Sequence, residues 1–136
     1  MAYDFHWHDD EHTIIRAHIH SNPTWDEYLG FIDKTVEELK KTTHRIDVIL
    51  DGSASDMPPG SPMSHIKTSS EKLIGCPNIG VVIVVTTQKM SKFTQMMVSM
   101  VYKIYGIDPR ILGGFTTTLE EAEELIAQAR VEEISG

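Results

Sequence analysis

Five of the seven histidines fall within the first twenty residues, at His6, His8, His12, His18 and His20. His6-x-His8 and His18-x-His20 each set two imidazoles on one side of an extended strand, because side chains repeat every second residue there. Imidazole pairs of this kind suit zinc, copper or nickel, and Asp4 or Asp10 would add a carboxylate. The five are therefore candidate metal ligands. The same imidazoles gain positive charge at about pH 6, which also makes the cluster a pH-sensitive contact. Without a metal it is a polar strand face open to water or a partner. The sequence implies no cofactor beyond this.

A second group lies in the one long irregular stretch, Asp51 to Gly60. It follows a run that reads as a strand, and ligands of open α/β sheets bind outside the carboxyl ends of strands. Asp51, Ser53, Ser55 and Asp56 are expected to form a ligand or partner surface with Thr86 and Thr87, which end the next strand. Asp and Ser are also ordinary turn residues. Ser61-Pro62 reads as a helix cap followed by proline at the first helical position. A phosphate on Ser61 would meet a helix N-terminus, which favours negative charge. No histidine follows in the spacing of a nucleophile and its base, and no glycine-rich phosphate loop is present. No residue is assigned a catalytic role, and the chain reads as non-enzymatic.

Cys76 is the only cysteine. That excludes an internal disulfide and a cysteine-based zinc site, and it fits a reducing, cytoplasmic setting. With Pro77 after it and no Lys or Arg adjacent, Cys76 reads as structural. Met57, Met63, Met90, Met96, Met97 and Met100 form an unusual thioether set. They read as core filling at helical spacing, or as the lining of an apolar ligand pocket.

The elements that must position these groups are legible from periodicity. Tyr3, Phe5 and Trp7 alternate with Asp4, His6 and His8, and Ile15, Ala17 and Ile19 alternate with Ile14, Arg16, His18 and His20, which predicts a β-hairpin over 3–8 and 12–20. With Asp9-Asp10-Glu11 as the loop, Phe5 should face Ile15 and Asp4 should face Arg16, leaving all five histidines on the outer face. Thr24-Trp25-Asp26-Glu27 and Thr118-Leu119-Glu120-Glu121 read as capping boxes opening helices. Ile46 to Leu50, Val81 to Val85 and Ile111 to Phe115 read as strands, the second apolar on both faces and so covered on both sides. A helix from Ser61 to about Ile74 stops at Gly75-Cys76-Pro77, and Ser91 to Tyr105 should bury Phe93, Met96, Met97, Met100, Val101 and Ile104. The predicted class is α/β. A mixed five-stranded sheet, made of an N-terminal hairpin plus three strands joined by helical crossovers, is flanked by four helices in one domain over 1–136.

The chain has 136 residues, 40% of them hydrophobic, and a net charge of −8. That size supports one buried core. The acidic balance argues against nucleic acid and against docking on an anionic membrane. No apolar run approaches the length of a membrane span and no basic-then-apolar leader is seen at the start, so neither insertion nor secretion is expected. Ile14, among the outer-face histidines, makes a homodimer contact plausible.

The element order resembles that of STAS-like, SpoIIAA-like domains. The likeness rests on that order, on His12-Thr13-Ile14-Ile15 leading to Thr24-Trp25-Asp26-Glu27-Tyr28, and on the ending Gly114-Phe115-Thr116-Thr117-Thr118-Leu119-Glu120-Glu121-Ala122. The anti-sigma-factor antagonists of that family carry a phosphorylated Ser or Thr where a loop enters a helix. Ser61, within Pro58-Pro59-Gly60-Ser61-Pro62, stands at the corresponding place, without the Asp-Ser pair of that motif. The resemblance implies a bacterial regulatory protein-interaction domain, docking a protein partner through 51–61 and the adjacent helix. The broader SpoIIAA-like group is also likened to CRAL-TRIO lipid-transfer domains, which implies apolar-ligand binding as an alternative. Metal binding through the histidines is a third.

Overall fold

The computed structural model describes residues 3–20, 22–52, 63–86, 88–106 and 111–135. The strands are β1 (Tyr3–Trp7), β2 (Ile14–Ile19), β3 (Ile46–Asp51), β4 (Ile79–Val85) and β5 (Leu112–Thr116). The helices are α1 (Trp25–Lys41), α2 (Met63–Ile74), α3 (Gln88–Tyr105) and α4 (Leu119–Ser135). The sheet runs β1-β2-β3-β4-β5, with β1 antiparallel to β2 and every later pair parallel. The expected mixed sheet, hairpin and four helices are all present.

This strand order has a physical consequence. Right-handed crossovers that always step in one direction put every crossover helix on the same face. Accordingly α1, α2 and α3 send Phe31, Ile32, Leu39, Leu73 and Tyr102 onto Tyr3, Ile15, Ala17, Ile46, Val48 and Leu50. Of the described helices only α4, which follows the last strand, covers the other face. There Ala122 and Ile126 pack on Ile14, Ile49, Ile83 and Val85. The segment Val81–Val85 is apolar on both sides because Val82 and Val84 enter the first core while Ile83 and Val85 enter the second.

The hairpin register differs from the expected one. Phe5 pairs with Ala17 and Asp4 with His18, a two-residue slip. Asp9 causes it by folding the loop on itself. Its Oδ1 accepts from the amides of Thr13 and Ile14, both at 2.9 Å, and its Oδ2 accepts from the Thr13 hydroxyl. His12 takes a left-handed conformation, φ 56°, within that loop. A slip of two preserves the side-chain alternation, so the faces of β1 and β2 remain as expected. Partial burial works against ionising Asp9, but the bonds from Thr13 and Ile14 outweigh it and hold the carboxyl below its usual range.

Both predicted caps form. Glu27 N–H donates to Thr24 Oγ1 at 3.1 Å, and Glu121 N–H donates to Thr118 Oγ1 at 3.1 Å. In each case the glutamate carboxylate accepts from the capping hydroxyl.

Candidate functional site

The site is built on the part of the sheet that α4 leaves uncovered. α4 packs over β3, β4 and β5. The same face of β1 and β2 is left to Asp4, His6, His8, Arg16 and His18, with His20 just past the strand. Three imidazoles there are turned onto three carboxylates. His20 Nε2 lies 2.5 Å from Asp4 Oδ2, His18 Nδ1 lies 3.6 Å from Asp51 Oδ2, and His8 Nε2 lies 3.4 Å from Glu123 Oε2 of α4. The hydrogen bond with His20 holds the Asp4 carboxyl below its ordinary value. Arg16 Nη1 lies 3.5 Å from His8 Nδ1, while Arg16 Nε is buried and has no hydrogen-bond partner among the described residues.

Asp51, expected to serve a separate loop site, thus joins the histidines: β2 and β3 run parallel and place His18 opposite Asp51. His12 does not join them. Its ring lies parallel to Trp7 at 4.3 Å, on the helix-covered side, so the five histidines do not share one outer face. Among the described residues no three His, Cys, Asp or Glu side chains converge on a metal position. His8, His18 and His20 each face a different carboxylate. Ile14 is buried beneath α4, which removes the stated ground for a homodimer contact.

Of the loop group, Ser53, Ser55, Asp56, Ser61 and Thr87 lie outside the described residues. Thr86 is buried and its amide donates to Thr116 O at 2.9 Å, a strand-end contact. The strand order never reverses, so the crevice that opens at such a reversal has no counterpart here. Asp47 and its partners were not foreseen. Asp47 is fully buried, and Arg45, Arg130 and the Val81 amide all donate to its carboxylate. The signal was there: a lone carboxylate inside the apolar run Ile46–Leu50 is almost never buried unless paired.

α3 departs from expectation in a useful way. Met96, Met100 and Ile104 are not core residues but are 56%, 49% and 59% exposed. They form a stripe at a spacing of four on the outside of the helix. They therefore do not line an interior pocket. A shallow groove of about 590 Å³ lies elsewhere, between Arg45, Ile74, Ile79, Val81 and Ile111. No described helix is long and apolar enough to cross a membrane.

No protein-family model, no curated protein and no solved structure matches the chain.

Proposed function

We propose that the chain is a non-enzymatic, STAS-like interaction domain that docks a protein partner. The exposed stripe Met96, Met100 and Ile104 on α3 supports this reading above all. Large apolar side chains recurring on one helical face are the anchors that a helix-to-groove or helix-to-helix contact covers. Methionines adapt to irregular partner surfaces.

Charge commits the partner. Within Gln88–Tyr105 the charged residues are Lys89, Lys92 and Lys103, with no acid, in a chain of net charge −8. A basic, apolar-striped helix complements an acidic helix that carries its own apolar stripe. An anionic bilayer would attract α3 but repel the rest of the chain. A second copy would have to offer acidic α4, whose Ala122 and Ile126 are already packed on its own sheet. Segment 51–61 precedes α2 in the chain, and α2 packs against α3. In this reading phosphorylation of Ser61 is the regulatory step.

The test is fluorescence anisotropy with labelled helical peptides that have an acidic polar face and a Leu stripe, against scrambled peptides of equal composition. The patterned peptides should bind at least about tenfold more tightly, and Met100→Glu or Lys92→Glu should abolish the difference. Equal binding of both peptide sets, or binding of phosphatidylserine vesicles but not peptides, would overturn the reading.

A further inference from the structure

Arg16 is a cation on the open sheet face that no carboxylate among the described residues holds. Asp4, Asp51 and Glu123 face imidazoles instead. A guanidinium that merely lay along the surface would keep its head in water. Here the Nε–H is buried without a partner among the described residues, and such a group carries the full cost of its lost hydration.

We propose that Arg16, with His6, His8 and His18 around it, binds a small oxyanion, the carboxylate or phosphate group of a metabolite. The guanidinium fork matches two oxygens of either group. The register sets His6 directly across from Arg16, and His18 follows two residues along the same strand face. His8 Nδ1 is 3.5 Å from Arg16 Nη1. The other charged groups on this face are Asp4 on β1, His20 after β2, Asp51 on β3 and Glu123 on α4. Asp47 also stands there, already held by Arg45 and Arg130. The site lies on the α4 side of the sheet, opposite α3, and does not depend on the docking reading.

The experiment follows the Arg16 Nε–H resonance and, so that variants without a guanidinium also report, the backbone amide resonances of β1 and β2 by ¹⁵N NMR of the whole protein while inorganic phosphate, or separately acetate, is added. A saturable shift is expected, with the backbone amide response weakened at least about tenfold in Arg16→Gln. The anion that saturates at the lower concentration identifies the ligand group. Arg16→Lys keeps a point charge without the fork and should retain a weakened response, which serves if the Gln variant misfolds. An unmoved Nε–H resonance with both anions, or undiminished binding by Arg16→Gln, would overturn the proposal.

Discussion

Arg130 Nε donates to Asp47 Oδ2 at 2.8 Å, joining residues 83 positions apart. The same arginine reaches Thr13 O through Nη2 at 3.1 Å. One side chain of α4 thus ties the buried carboxylate of β3 to the loop before β2. It is a polar fastening of α4, the only described helix on that face, beside the His8–Glu123 pair and the apolar contacts of Ala122 and Ile126.

Removing Asp47 should be among the costliest single changes. Asp47→Ala leaves Arg45 and Arg130 beside an empty apolar position, and breaking a buried pair costs about 3–5 kcal/mol. Urea unfolding measures this directly. A loss below about 1 kcal/mol would place the pair among ordinary surface bridges.

Gly80 is fixed by the same cluster. A methyl group on its Cα would overlap Asp47 Oδ1 and Asp47 Cγ and would lie 2.5 Å from Arg45 Nε. Gly80→Ala should destabilise by about 1–3 kcal/mol, the usual cost of overpacking. Thermal unfolding of this variant alongside Gly30→Ala, where nothing lies within 4 Å, separates crowding from a general glycine effect.

Asp9 sets an acid limb. Its folded pKa lies below the ordinary 3.8, so its contribution is complete above that value and disappears as pH falls through the folded value. Asp9→Ala should remove this limb and cost about 0.5–2 kcal/mol at neutral pH, as lost loop and cap acceptors do. Stability curves of both proteins between about pH 2 and pH 7 would show it; parallel curves would contradict it.

Two tyrosines set the alkaline side. Burial pushes Tyr28 up to about 12, against the lowering bond with Ser69, and burial also raises Tyr3. Groups that stay neutral in the fold stabilise it fully below the ordinary value of 10.0 and lose that contribution as pH rises through the folded value. Tyrosinate absorbance of Tyr28→Phe and Tyr3→Phe should therefore match the parent protein at about pH 10.5 and differ only once the fold opens.

Periodicity revealed the sheet, the hairpin and both caps because those signals are local. The hairpin register escaped it because period two is unchanged by a slip of two, and only the three bonds to Asp9 select the observed pairing. The convergence of His18 with Asp51 was not readable either. It depends on which strand lies beside β2, a matter of topology rather than of residue spacing. The outward stripe of α3 was misread as core because Met96, Met100 and Ile104 satisfy the helical apolar pattern equally well on either side. Val81–Val85, by contrast, was read correctly: an unbroken apolar run can only be satisfied by cover on both faces.

The docking claim is tested most directly by placing a photo-reactive amino acid at position 100 on α3, and a control at Glu37 on α1, in living cells. The account predicts an adduct from position 100 alone, to an acidic apolar-striped helix of one partner protein. The purified partner should then lose at least about tenfold in affinity for Met100→Glu. Adducts only to lipid, only to a second copy of the chain, or equally from both positions would contradict it.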